Sequence, residues 1–193
     1  MIAYALCGSF CTMDRSLEQL RLLAKEGYSI LPIFSFNAAS IDTRFGRAEE
    51  IRKEVEEICG RQAVTTVEGA EPIGPRLVPD LFVIAPCTGN TLAKLANGIT
   101  DTPVTMAAKS HLRNGRPLVI ALATNDALSA NFPNLASLLC RKNVYFVPMA
   151  QDDPEKKPFS MIADFHRLHE TMLAAWANCQ LQPLFLPAGS VKL

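Results

Sequence analysis

The residues best suited to chemistry lie in short polar loops that follow apolar runs. The first is Gly8-Ser9-Phe10-Cys11-Thr12. It joins an apolar run to a helical period, and unpaired N–H groups at such a helix start, aided by the helix dipole, can hold a phosphate. It has neither the Gly-x-Gly-x-x-Gly spacing of a dinucleotide turn nor the lysine of a triphosphate-binding loop. The second apolar run ends in Ser35-Phe36-Asn37, with no Asp or Glu to take an adenosine ribose. The hydroxyls and amides of Ser9, Thr12, Ser35 and Asn37 suit a single phosphate on a polyol arm. Ordinary turn chemistry at both loops is the alternative.

Other reactive residues lack partners. Cys7 and Cys11 have a metal-like spacing, but no second pair or histidine accompanies them, so no metal site is expected. Cys87 has no base nearby in sequence to make it a nucleophile. His166 and His169 share a helix face and read as surface or interface residues. Asp152-Asp153-Pro154-Glu155-Lys156-Lys157 reads as a solvated loop.

The elements that must position these loops alternate between strand and helix. Strands are expected at Ile2–Cys7, Ser29–Phe34, Ala63–Val67, Leu81–Ala85, Leu118–Ala123 and Val144–Val147. The first helix follows Thr12 with its stripe Met13, Leu17, Leu20, Leu23, and Gly27 ends it. Further helices are expected at Arg47–Cys59, Thr91–Asn97, Pro103–Asn114 and Pro133–Arg141. Ser160 caps a last helix whose apolar side runs from Ile162 and Phe165 to Trp176, as core or oligomer interface. Strands apolar on both faces imply an α/β fold, a three-layer, Rossmann-like parallel sheet with helices on both faces. Such sheets bind ligands at the carboxyl ends of their strands.

The 193 residues argue for one domain at 1–180, with 181–193 as a C-terminal tail or arm. With 49% hydrophobic and 20% charged residues the chain is not disordered. Nineteen basic residues balance nineteen acidic ones, so no broad footprint suits nucleic acid or an anionic membrane. Apolar runs such as Leu118–Ala123 fall far short of the ~20 residues of a membrane span. The first residues lack a signal peptide's basic flank. Six cysteines without signs of export are expected as reduced, mostly buried thiols in the cytoplasm.

Ala85-Pro86-Cys87-Thr88-Gly89-Asn90-Thr91 resembles the Pro-Ala-Ser-Ala-Asn-Thr motif of the flavin-dependent cysteine decarboxylases, which share the fold of phosphopantothenoylcysteine decarboxylase. The continuation Ala93-Lys94-Leu95-Ala96-Asn97-Gly98-Ile99-Thr100-Asp101 is typical of the same flavoprotein superfamily. Further blocks cover nearly the whole chain: Thr43-Arg44-Phe45-Gly46, Met106-Ala107-Ala108-Lys109, Arg113-Asn114, Thr124-Asn125-Asp126-Ala127-Leu128 and Gln151-Asp152-Asp153-Pro154. Together they are similar to the family of dipicolinate synthase B subunits.

The resemblance implies FMN, its phosphate held at Gly8-Ser9 and Ser35-x-x-Ala38. Phe10, Thr12, Asn37, Pro86, Cys87, Thr88, Asn90, Thr91, Thr124 and Asn125 would complete the cofactor site. Asn90 and Asn125 would face flavin and substrate as catalytic amides, and Asp126, by position, would be the general base. The implied activity is oxidation of a dihydrodipicolinate-type ring to dipicolinate during sporulation, in the cytoplasm of the mother cell. A small dicarboxylate calls for arginine; Arg44 and Arg47 rank first as its partners, then Lys109, with Arg113 read as a solvated cation. The companion A subunit of dipicolinate synthase, carrying the NAD(P) site, is implied, as is a trimer-based homo-oligomer. Two departures bear on the chemistry. No histidine lies between Ala38 and Ser110, where the decarboxylases keep their catalytic one, and Ala121-Leu122-Ala123-Thr124-Asn125 keeps only the asparagine of their Pro-x-Met-Asn motif. A flavin-free scaffold supporting the A subunit, or a cysteine decarboxylase, are the alternatives.

Overall fold

The protein is described here by a computed structural model covering residues 1–191. In chain order the elements are β1 (Ile2–Leu6), α1 (Met13–Lys25), β2 (Ile30–Phe34), α2 (Phe36–Ser40), α3 (Ala48–Cys59), α4 (Val67–Ala70), β3 (Leu81–Cys87) and α5 (Gly89–Ala96). They continue with α6 (Pro103–Arg113), β4 (Leu118–Thr124), α7 (Phe132–Leu139), β5 (Val144–Phe146), β6 (Met149–Ala150), β7 (Met161–Ala163) and α8 (Leu168–Trp176). Single 3-10 turns at Phe10–Thr12 and Phe165–Arg167 lead into α1 and α8.

Five strands form a parallel sheet in the order β2-β1-β3-β4-β5. Successive connections from β1 leave in opposite directions, to β2 on one side and to β3 on the other. The crevice outside the carboxyl ends of β1 and β3 is therefore the topological switch point, where open α/β sheets bind ligands. One face of the sheet buries Tyr4, Val83 and Val119 against Leu17 and Leu20 of α1, Val55 of α3 and Met172 of α8. The opposite face buries Phe82, Ile84 and Ile120 against Leu92 of α5, Val104 and Ala107 of α6 and Leu135 of α7. Burying each of these large side chains contributes about 1.5–3 kcal/mol.

The helices end where their capping residues dictate. Thr88 caps α5 by accepting from the Thr91 N–H at 3.3 Å. Thr102 and Thr105 form a reciprocal capping box ahead of Pro103 at the start of α6. Gly60 closes α3 at φ +63°, a conformation that costs a side-chain-bearing residue roughly 1–2 kcal/mol.

The structure corrects several expectations. The sheet is not wholly parallel. β4 has seven residues and β5 three, so β5 pairs only Leu118–Ile120 and leaves the end of that edge open. Backbone groups there need partners; β7 supplies them antiparallel, Ala123 facing Ile162 and Thr124 facing Met161. Ser160 thus precedes a strand rather than capping a helix, and Asp164 caps the 3-10 turn that follows by accepting from the His166 N–H. At 63–67 only Val64 bridges, to Ile33, before Thr66 caps α4. Ser35 likewise caps the unexpected α2, accepting from the Ala38 N–H at 3.3 Å. β3 runs two residues past Ala85, which buries Pro86 and Cys87 in the sheet. The thiols are all free, but only Cys7 and Cys87 are buried; Cys59 is half-buried and Cys11, Cys140 and Cys179 are exposed.

Part of the expected tail lies against the sheet. Met149 donates to the Leu184 carbonyl and accepts from Leu186, while Gly189 donates to Gln151, so residues 184–189 run along β6. Its last residues, 192–193, lie outside the described residues.

Candidate functional site

A cleft of about 370 Å³ opens at the switch point. One side is the Gly8–Thr12 loop. The Thr12 hydroxyl spans it, 2.9 Å from the Ser9 carbonyl and 3.1 Å from the Ser9 hydroxyl. Gly8 packs closely here: a Cβ would lie 3.3 Å from the Asn37 Cβ and 3.4 Å from the Phe10 ring, so those side chains would have to give slightly to admit one. The floor is Thr88 and Gly89 after β3 and Ala123–Asn125 at the end of β4. The remaining walls are Arg44 with Phe45, and Ser160, Met161 and Ile162 at the start of β7. The Arg44 guanidinium stands 4.8 Å from the centre of the Phe45 ring, a cation–π pairing that holds a charge at the rim.

Gly8, Ser9, Phe10, Thr12, Arg44, Thr88, Thr124 and Asn125, all singled out from sequence, line this one cleft. The others lie elsewhere. Ser35 is spent on capping α2, and Asn37 is exposed beside Gly8. Pro86 and Cys87 point into the sheet; burial pushes the Cys87 thiol well above its ordinary range. Thr91 faces inward, its hydroxyl 3.3 Å from the Cys7 sulfur, whose thiol burial raises to about 11. Neither thiol is a thiolate at neutral pH. Asn90 is exposed on the outer side of the first turn of α5.

Asp126 does not face the cleft as a free base. Its two carboxylate oxygens accept from the Thr124 hydroxyl at 2.6 Å and the Asn131 amide at 2.7 Å. Arg47 is exposed and ion-paired with Asp42 and Glu50. Lys109 is not at the cleft at all: it lies midway along α6, lining two other depressions.

Asp152 is a cleft residue that sequence reasoning missed, as are Phe45, Gly89, Ser160, Met161 and Ile162. Read as part of a solvated loop, the Asp152 side chain is only 6% exposed. Burial alone would raise its pKa, but hydrogen bonds from the Lys157 ammonium at 2.8 Å and from the Ser160 hydroxyl outweigh that and hold it below the ordinary carboxylate value. The same pair raises the pKa of Lys157. A serine eight residues beyond an aspartate carries no periodicity, so only the antiparallel return of β7 reveals the pairing.

The cleft is thus polar at the loop end and aromatic and aliphatic at Phe10, Phe45, Met161 and Ile162; among the described residues Arg44 is its one cation and forms no ion pair. Among the described residues no histidine lines it, and no group of three or more His, Cys, Asp or Glu side chains could hold a metal. Such a site can bind and orient a flat apolar body with a polar, anionic arm. The exposed, free Cys11 is in its lining, and among the described residues no imidazole is there for acid–base work.

This is the fold and crevice of a flavoprotein-type α/β domain, and the comparisons agree. The family model described as Flavoprotein matches residues 1–161. The B subunit of dipicolinate synthase from Bacillus subtilis is 45% identical over 185 residues, 96% of this chain and 92% of that one. The crystal structure of the B subunit of dipicolinate synthase from Bacillus halodurans superposes with a TM-score of 0.88 at 40% identity, covering 97% of this chain and 96% of that one. An FMN-dependent cysteine decarboxylase, SpaF, shares the fold at a TM-score of 0.68 and 22% identity, over 91% of this chain and 96% of its own. The chain belongs to the Flavoprotein family, and within it to the dipicolinate synthase B subunits.

Proposed function

We propose that this chain is the FMN-binding subunit of a dipicolinate synthase, oxidising a dihydrodipicolinate-type ring to dipicolinate with a companion A subunit that carries the nicotinamide site. The observation that carries this reading is the convergence of three strand ends on one cleft whose donors and apolar walls suit a flavin mononucleotide. The residues present fit the group. The bare backbone at Gly8 allows close approach, and the Ser9 hydroxyl, which accepts from Thr12, keeps its own proton for a phosphate or polyol. The Thr12, Thr88 and Thr124 hydroxyls donate to Ser9, Thr91 and Asp126 and can accept from a polyol, and among the described residues the lining acid, Asp152, is already paired.

When bound, flavin supplies the hydride acceptor. The chain's own residues do the rest. The Gly8–Thr12 loop anchors the anionic arm, with the amino end of the following helices favouring negative charge. Thr124 and the exposed Asn125 present polar groups to the ring edge. Arg44 at the rim takes a substrate carboxylate through a charge-assisted, bidentate contact. Phe45 and Ile162 exclude water from the face where the substrate ring lies. The dicarboxylate, the NAD(P) of the companion chain, a trimer-based homo-oligomer and a place in the mother-cell cytoplasm of a sporulating bacterium belong to this proposal.

Cysteine decarboxylation finds no support in the site. His111 is buried against the Pro117 carbonyl, and His169 pairs with Tyr28 and Glu26 on the outer face of α1 and α8. Titrating the purified chain with FMN while following visible absorbance and flavin fluorescence tests the proposal. Saturable uptake with perturbed bands is expected. A protein that stays colourless and leaves flavin fluorescence unchanged would reduce the chain to a flavin-free scaffold for its companion.

A further inference from the structure

The rim of the sheet opposite the cleft carries a second and larger cavity, about 520 Å³. In a parallel α/β sheet the helices run back against the strands, so the ends of α5 and α6 and the start of β5 meet at the amino-terminal edge. The cavity lies between them. Its floor is aliphatic: Leu95, Ile99 and Leu112. Four cations surround that floor, Lys109 and Arg113 from α6 and Arg141 and Lys142 from the turn between α7 and β5. No acidic side chain lines it among the described residues, and none of the four cations forms an ion pair there.

Four cations around one apolar floor leave a local positive charge; Glu68 and Glu71 share an adjoining depression with Lys109 and Arg113 but form no ion pair with them among the described residues. Cations near helix ends relieve the helix dipole, which accounts for Arg113 and Arg141 singly. It does not account for convergence from two separate elements on one cavity. Arg141 is held in place, its Nη1 donating to the Leu95 carbonyl at 3.2 Å, so one cation is fixed at the wall before any ligand arrives. The hydroxyl of Thr105 is engaged in the capping box with Thr102 and is not free to bind.

We infer that this cavity is a binding site for a small organic dianion with an apolar body, separate from the cleft and independent of the flavin reading. The charges would meet carboxylate or phosphate groups while Leu95, Ile99 and Leu112 take the carbon frame. Lys109, expected from sequence at the substrate site, belongs here.

Isophthalate, which carries two carboxylates on a benzene ring, is the probe. Binding to the full chain is followed by calorimetry and by perturbation of the Ile99 and Leu112 methyl signals in NMR. Saturable binding is expected, weakened about tenfold or more by Lys109→Ala/Lys142→Ala, with every protein compared in an Arg44→Ala background so that a dicarboxylate held at the other rim does not contribute. Both lysines are exposed, so their removal leaves the fold intact. Pyrophosphate, with charge but no apolar body, should bind more weakly than isophthalate. Four results would overturn the inference: no saturation at millimolar isophthalate, equal affinity in the double variant, pyrophosphate binding as tightly, or a double variant that changes oligomeric state without changing isophthalate binding. The last would assign these cations to a protein interface.

Discussion

Gly89→Ala is the perturbation that most directly tests how the floor of the cleft is built. A Cβ at Gly89 would stand 2.6 Å from the Thr124 hydroxyl oxygen, 2.7 Å from the Asn131 amide nitrogen and 2.8 Å from an Asp126 carboxylate oxygen. All three atoms belong to one hydrogen-bonded cluster, Thr124 and Asn131 each donating to Asp126. They cannot retreat together without breaking at least one of those bonds. Overpacking alone costs about 1–3 kcal/mol, and a hydrogen bond to a charged group is worth about 1.5–3 kcal/mol. Partial relaxation brings the expected loss to about 2–4 kcal/mol. The gain of about 0.5–1 kcal/mol that alanine brings over glycine in a helix does not offset this. At about 2–4 °C per kcal/mol for a domain of this size, Tm should fall by roughly 5–15 °C.

Thermal and urea denaturation of Gly89→Ala, Thr124→Ala and the double variant read this out. Thr124→Ala removes the nearest obstacle, so the double variant should lose less stability than the two single variants together, by about 0.5–3 kcal/mol. A Gly89→Ala protein within about 0.5 kcal/mol of the parent, or strictly additive losses, would refute the packing argument.

Two further outcomes follow from the structure. Arg44→Ala should raise KM for the dicarboxylate by roughly tenfold or more, the worth of one charge-assisted contact, while leaving flavin content unchanged in a bound-FMN assay; normal kinetics would remove Arg44 from the substrate. Acid should destabilise the fold in two stages, measured by urea midpoints from about pH 7 downward. Burial depresses the pKa of His111 below the ordinary histidine value of 6.5, so the unfolded chain binds the extra proton first and stability is lost as pH falls from there through the folded value. Asp152, depressed below 3.8, contributes stability that persists above that value and is lost as pH falls through its folded pKa. A midpoint flat between about pH 7 and about pH 5 would contradict the burial of His111.

Most of the parallel sheet is legible from sequence because its signals are local. Ile2–Leu6 and Leu118–Ala123 are unbroken apolar runs, and Gly27 and Gly60 end helices through their own φ angles of +86° and +63°. The Gly8–Thr12 loop is legible for the same reason: it follows a strand and precedes a helix. What escaped depends on contacts distant in sequence. Thr91 lies in the same motif as Thr88 and accepts from its hydroxyl at 3.2 Å, yet Thr88 lines the cleft while Thr91 is buried and donates to the Cys7 sulfur. Asp126 has the composition of a base and the surroundings of a structural hub. Lys109 occupies a matching block but the wrong end of its helix layer.

β7 brings the misread stretch and the cleft together. Ile162 and Phe165 have helical spacing, and nothing local forbids a helix there. The decision is made elsewhere, by the unequal lengths of β4 and β5. Once β4 outruns its neighbour, the unpaired backbone at Ala123 and Thr124 favours an antiparallel partner over one more helical turn. That pairing carries Ser160, Met161 and Ile162 to the mouth of the crevice and folds the preceding loop back, so that Asp152 meets Ser160 and Lys157 beside the cleft. A wall of the site therefore exists because a strand on the far side of the sheet is short. Lengthening β5 to pair with Ala123 would displace β7 and open the cleft, without touching a single residue of its Gly8–Thr12 end.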